Sequence, residues 1–420
     1  MSRYARKRSD PPVKPVKHIE VTDKNRKLKL VLIVILLALG VTLIATAIAQ
    51  LLATPAGWET IQVETDADES CAGDFIFQYL LGDGDQAANL EQREVTRIYS
   101  QAAQDAFRIF HEERIFEGVH NVAYLNQHPN EEVEIPMALY EALAMLEKYG
   151  NKALYLAPIY REYVGMFLSD QDWVAQTYDP EKDAEQAAYF TEVLAFITDE
   201  NAVRLDLLGN NQVKLRVSDA YLQYAADKEI TTFIDFYWMK NAFIVDYLAE
   251  QMTAAGYTKG SISSFDGFIR NMDASNRSYQ LNIFDRVGQE IYQAGAMNYT
   301  GALSMVSLRN YPMSELAVQL YYQWEDGSYT SCHIDPADGR SKSTLNDLVG
   351  YGQGIGCSEI LMKLYPEYVA DTLNADEFHV IAGVDTVYCK DRIIYTSGVS
   401  AVITNLYKKD GIEYTWQKAE

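Results

Sequence analysis

Basic side chains are in short supply: 36 Lys and Arg stand against 59 Asp and Glu in 420 residues, a formal charge of −23. A nucleic-acid partner needs a Lys/Arg excess to neutralise phosphates, so that class is excluded. Familiar catalytic motifs are absent too. There is no Gly-x-x-x-x-Gly-Lys-Ser/Thr phosphate loop, no Gly-x-Ser-x-Gly elbow and no His-Glu-x-x-His pair. His111-Glu112-Glu113 approaches the last only superficially, because Ile115 stands at i+4, and it reads as an exposed helix end. The four cysteines, Cys71, Cys332, Cys357 and Cys389, include no Cys-x-x-Cys, which argues against zinc and leaves buried thiols or a disulfide open. No internal repeat is visible.

The charge that is present is unevenly placed. Residues 1–29 carry ten Lys/Arg and three acids, or +7, whereas the rest carries 26 basic and 56 acidic residues, or −30. Between them Leu30–Ala49 runs for twenty residues without a charge. A helix rises 1.5 Å per residue and needs about 20 apolar residues to cross the hydrocarbon, so a transmembrane anchor is expected at 30–52. The basic flank puts the N-terminus in the cytoplasm and the acidic remainder outside it, with the lipid bilayer as a partner through residues 30–52. A cleaved signal peptide is the alternative, since Ala47-Ile48-Ala49 has the small-x-small form.

Residues 53–90 read as an acidic spacer and 91–420 as one folded domain. Val95, Ile98, Tyr99, Ala102, Ala106, Phe107 and Phe110 recur at helical steps and predict a helix over 91–112. Further helices are expected at 136–149, led by Pro136 and closed by Gly150, at 152–168, at 241–255 and at 355–365. Alternating apolar residues around Gly209-Asn210-Asn211 predict a hairpin, and Glu325-Asp326-Gly327 marks another. Strands are expected at 261–269, 378–383, 393–396 and 413–416. Helices and strands mix without a βαβ rhythm, so the fold class is α+β.

Two constellations carry chemistry. Cys332-His333-Ile334-Asp335-Pro336-Ala337-Asp338-Gly339-Arg340 is a turn by its Asp-Pro and Asp-Gly pairs, and it presents a His and an Asp that suit proton transfer or ligand binding. Asp235-Phe236-Tyr237-Trp238-Met239-Lys240-Asn241-Ala242-Phe243-Ile244-Val245-Asp246 precedes it. These resemble the FAD:protein FMN transferases, exported membrane-attached enzymes in which an Asp-x-Gly-x-x-x-Lys-Gly-Tyr-x-x-Asp segment is followed by a His-(Ile)-Ile-Asp-Pro-x-Thr-Gly turn, so that His333 matches the family histidine only if one residue is deleted. Tyr124-Leu125-Asn126, Ala157-Pro158, Gly256 and Ser263-Ser264-Phe265-Asp266 resemble further family segments, over about residues 90–405.

The resemblance implies a single exported flavin-transferase-like domain, with FAD and Mg²⁺ as cofactors and Mg-dependent transfer of FMN to a Thr or Ser of an exported acceptor protein. It implies catalytic roles for His333, Asp335 and Lys240, cofactor binding by Asp235, Asn241, Asp246 and Asp266, and a metal ligand at Glu359. The departures fall on the same chemistry. The family lysine aligns with Asn241, one residue from Lys240, and its histidine aligns with Cys332. The metal Asp–Thr pair aligns with Ile355 and Glu359, and an isoleucine side chain offers a hard cation no oxygen. Tyr237 and Trp238 stand where the family has glycines, and core packing is their ordinary role. Two readings from different classes follow: a divergent transferase using Lys240, His333, Asp335 and Glu359 or Asp347, or a catalytically inactive relative acting as an extracytoplasmic flavin-binding or protein-binding module. An unrelated extracellular sensor or assembly domain is a third.

Overall fold

The computed structural model describes residues 26–51, 56–63, 68–398, 402–409 and 411–418. The basic tail at 1–25 lies outside them. The chain divides into two compact units, residues 1–54 and 55–420.

In the first unit Arg26–Leu51 forms one helix, α1, of 26 residues. Among the described residues no helix is long and apolar enough to cross a membrane. Side chains of α1 are described at Leu30, Val31 and 34–44 alone, so the expected span of 30–52 lies partly outside them.

The second unit is α+β, as the mixed pattern predicts. A nine-stranded sheet runs in the order 57–60, 75–81, 260–264, 268–271, 303–309, 347–352, 385–390, 393–396 and 415–418, antiparallel throughout except for the last pair. The first two strands come from the stretch expected to be a spacer. Phe75, Phe77, Tyr79 and Leu81 are buried there while Ile76 and Gln78 are exposed, a period-two pattern hidden by the surrounding acids. The expected strand 261–269 is a hairpin, because Asp266 and Gly267, the latter at φ +111°, turn the chain. The expected strand at 378–383 is instead the end of a short helix and a turn at Gly383, φ +76°, and pairing resumes at Asp385–Lys390.

Eleven α-helices are described: α1, then α2 (Ala88–Phe110), α3 (Val122–Gln127), α4 (Met137–Lys148), α5 (Ala157–Phe167), α6 (Asp172–Ala175), α7 (Ala184–Thr198), α8 (Asp219–Asp227), α9 (Lys240–Ala254), α10 (Cys357–Tyr368) and α11 (Ala375–His379). The expected helices correspond to α2, α4, α5, α9 and α10 within a few residues. α7 has no counterpart in the sequence reading, although Asp183 caps it, accepting from the N–H groups of Glu185 and Gln186 at 2.9 Å.

Successive strand residues point to opposite faces, and both faces are covered. Val306, Leu348 and Tyr388 join the core beneath α2, α9 and α10, while Met305, Val349 and Val387 join a second core that includes Ile283, Ala294 and Met297 of the hairpin 278–287/290–300. That hairpin, the longest among the described residues, turns at Gly288, φ +66°. A separate sheet of 133–134, 212–217 and 203–209 carries the predicted Gly209 hairpin among α3 to α8.

Candidate functional site

A cleft of about 970 Å³ lies between α3, α5, α7, the 228–232 loop and the 235–237 turn, with Glu112 and Glu113 in its lining. Its back wall is set by Asn126. The amide oxygen accepts from the N–H groups of Phe233 and Ile234 at 2.9 and 3.0 Å, and the amide nitrogen donates to the Ile234 carbonyl at 2.9 Å. Asp235 follows directly, so the Leu125-Asn126 motif positions the first aspartate of the second motif.

Asp235 Oδ1 accepts from the Tyr237 N–H at 2.7 Å, holding the turn closed. Burial, aided by Glu112, pushes its carboxyl up to about 7 against the opposing pull of Lys240. Tyr237 sits at φ +44°, a left-handed backbone where the family has glycine, and its ring lies 4.8 Å from that of Tyr160. The hydroxyl of Tyr237 is buried without a hydrogen-bond partner, and that of Tyr160 lies beside the Trp238 indole. Trp238 packs inward against His333 and Tyr365 at 4.8 and 5.0 Å, the core role expected of it.

Lys240 begins α9 and gives both Glu112 carboxylate oxygens a hydrogen bond at 3.1 Å. Burial disfavours its charge, but Glu112 and Asp235 outweigh that and hold it above the ordinary lysine value. Glu112 is therefore half of a partly buried ion pair, a correction to the reading of 111–113 as an exposed helix end. Nothing in the local spacing could connect it to a residue 128 positions away.

The other transferred residues do not converge on the cleft. Asn241 donates to Asp266 at 3.0 Å, and burial pushes the Asp266 carboxyl up to about 6. Asp246 faces α10, where it accepts from the N–H groups of Cys357 and Ser358 at 2.8 Å and from the Ser358 hydroxyl at 2.7 Å. His333 is 4% exposed, lies edge-on to Trp238 and Tyr368, and has only Ser331 Oγ beside Nδ1, at 3.2 Å. Burial pulls it down to about 3, so it is a neutral core imidazole. Asp335 shares the Lys342 ammonium with Asp338 and Asp371, at 2.8, 2.7 and 2.6 Å. Asp347 is a buried partner of Arg309 at 2.7 Å. Glu359 lines a different cavity, of about 240 Å³, and accepts from the Tyr149 hydroxyl at 2.7 Å with Lys363 at 3.4 Å.

A magnesium ion does not fit the aligned positions. The Ile355 carbonyl accepts from Arg270 Nη1 at 2.9 Å, and the same guanidinium lies 3.5 Å from Asp246. A fixed cation thus stands beside the place where the family's metal carboxylate would be. The one cluster of described acids close enough to share an ion, Asp335, Asp338 and Asp371, already surrounds Lys342. The cleft volume suffices for FAD, and Glu112, Glu113, Glu162, Glu185, Glu229 and Asp235 line it together with Arg161 and Lys228. Cys71, Cys332, Cys357 and Cys389 are all buried free thiols, which resolves the disulfide question.

The fold is that of the flavin transferases. The chain superposes on the ApbE protein of Thermotoga maritima with a TM-score of 0.53 and 11% identity, covering 83% of this chain and 97% of that one. The flavin transferase ApbE from Vibrio cholerae superposes with a TM-score of 0.50 and 12% identity over 84% of this chain and 98% of its own. No protein-family model matches the sequence, and no curated protein does. The architecture expected from the motifs is therefore borne out.

Proposed function

We propose that this chain is a flavin-transferase-like protein anchored in a membrane by residues 30–52, with the 55–420 domain on the extracytoplasmic side, acting as a binding module through the cleft beside Asp235. The observation that carries this is the internal commitment of the transfer groups: Lys240 is bound to Glu112, Asp246 caps α10, and Lys342 holds Asp335. Phosphoryl transfer depends on cations and dipoles free to meet developing charge on the phosphate, and losing one such stabiliser typically costs about 3–4 kcal/mol of barrier. The apolar run of Leu30–Ala49 behind ten basic residues supports the anchor and its orientation.

A second reading, Mg-dependent transfer of FMN from FAD to a Thr or Ser of an exported acceptor, is favoured by one observation. Asp235, with its carboxyl at about 7, lines a cleft large enough for a dinucleotide, and Lys240 is among the charged groups that act on it. The two readings separate in one assay on the full chain in detergent with FAD and Mg²⁺. The binding module releases no AMP, and sustained AMP release establishes the transferase.

A further inference from the structure

We propose that the 111–114 turn is a pH-sensitive latch: a proton taken up by His111 undoes the turn and releases Glu112, a residue of the cleft lining, from Lys240. The latch adds regulation to the cleft of the binding-module reading and rests on that reading.

Which ring nitrogen faces the backbone decides the sign of the effect. α2 ends at Phe110, and His111 Nδ1 then accepts from the N–H groups of Glu113 and Arg114 at 3.2 and 3.1 Å. An imidazole nitrogen accepts only while it carries no proton, and the imidazolium is a donor at both nitrogens. Protonation therefore sets a ring N–H against two N–H groups of the chain, and both bonds are lost. Neither backbone group has another acceptor among the described residues. The ring is also fixed in place, edge-on to Phe107 and Phe116 with centroids 4.9 and 5.5 Å away. Asn121 holds the flanks, donating to the Arg108 and Arg114 carbonyls at 3.0 and 2.7 Å, while the His111 carbonyl accepts from the Ala123 N–H at 3.0 Å. The change is thereby confined to the turn.

Glu112 lies inside that turn. Both of its oxygens hold the Lys240 ammonium at 3.1 Å, so the shape of the turn decides whether this carboxylate reaches α9. The charged groups that act on His111 are Glu112, Glu113 and Arg114 from its own segment and Lys240 from α9. Burial pulls the imidazole below the ordinary histidine value, with Lys240 and Arg114 acting the same way and the two glutamates opposing. The closed turn is therefore complete above the ordinary histidine value and is lost as pH falls through the lowered one. An imidazolium beside Glu112 then competes with Lys240 for its carboxylate.

The test uses the full chain in neutral detergent and two substitutions. His111→Asn keeps an acceptor oxygen near the place of Nδ1 and cannot titrate, whereas His111→Leu removes the acceptor at every pH. Amide hydrogen exchange over residues 112–116, at times scaled to the intrinsic rate, is compared at pH 7.5 and pH 4.5. Protection should fall by at least about tenfold on acidification in the unaltered chain, by less than about twofold in His111→Asn, and be low at both pH values in His111→Leu. Protection that does not change with pH in the unaltered chain overturns the proposal. An equal fall in His111→Asn assigns the change to Asp235 or another carboxylate and overturns it also. The release of Glu112 is read at pH 4.5 alone, by carbodiimide coupling to glycinamide located by mass spectrometry. Glu112 should react several-fold faster in the unaltered chain than in His111→Asn, and equal rates overturn the proposal. Should His111→Leu fail to fold, the comparison with His111→Asn still decides the outcome. AMP release from FAD and Mg²⁺ removes the binding-module reading and leaves the latch standing, whereas a turn indifferent to pH leaves that reading standing, so the two failures are distinguishable.

Discussion

Asp246 holds Ser358 twice, accepting from its N–H at 2.8 Å and from its hydroxyl at 2.7 Å, so a carboxylate on α9 supplies the N-terminal cap of α10. Gly356 offers no side chain at the usual capping position, and a Cβ there would lie 2.5 Å from Asp246 Oδ2. The motif's second aspartate therefore has a structural role in joining α9 to α10.

Removing that carboxylate strands the N–H groups of Cys357 and Ser358 and the Arg270 guanidinium in a buried setting. Breaking a buried charged network typically costs about 3–5 kcal/mol. Asp246→Ala is expected to fall in that range, and Asp246→Asn, which keeps an acceptor, to lose about 1–2 kcal/mol. Urea unfolding checks both, read as a lower midpoint with an unchanged slope.

Asp266 gives stability a specific pH dependence. Burial raises its folded-state carboxyl to about 6, although hydrogen bonds from Ser264 and Asn241 oppose the shift. The unfolded chain titrates near 3.9, so between about pH 4 and 6 the folded state holds the extra proton. The contribution is present below about pH 4 and is lost as pH rises through about 6. Asp266→Asn should flatten that part of the profile and raise stability at pH 7 by on the order of 2 kcal/mol. The check is thermal unfolding of both proteins from pH 4 to 8; parallel curves for the two would contradict it.

Tyr237 occupies φ +44°, where a side chain costs about 1–2 kcal/mol over glycine. Both Tyr237→Gly and Tyr237→Ala lose the ring packed on Tyr160. The glycine variant should nonetheless be the more stable of the two by about 1 kcal/mol, the reverse of the order in an ordinary helix or strand. Chemical unfolding of the pair reads the difference directly.

How much of this was legible in the sequence depends on whether the signal was local. The periodic residues of α2, the Gly209 hairpin and the order of the eroded motifs sufficed for the α+β class and the flavin-transferase architecture. The strand 75–81 escaped because acids on both sides masked its alternation, and α7 because its apolar residues lie on no single narrow stripe. In the site, Asp235 is reached through the family resemblance of its segment. The partners that decide its chemistry are not: Glu112, Arg270 and Lys342 meet the aspartates and Lys240 only through tertiary packing. His333 shows the converse, a residue whose sequence neighbourhood suggests catalysis while burial by Trp238 and Tyr368 makes it a neutral core group.

Cations supplied by the chain also predict indifference to metal. With Arg270 beside Asp246 and Lys342 among three carboxylates, no described acid cluster is left to bind Mg²⁺. A ligand that binds the native state raises its stability in proportion to the logarithm of one plus the ratio of its free concentration to Kd. The unfolding temperature should therefore be the same within error in millimolar Mg²⁺ and in EDTA, and a clear rise with Mg²⁺ counts against the internal cations.

The central claim is that the domain keeps the transferase architecture while its transfer groups are bound to one another. The most direct measurement is AMP released by the full chain incubated with FAD and Mg²⁺, followed by chromatography over hours. The account predicts no release above a protein-free control; AMP accumulating in proportion to protein concentration would contradict it.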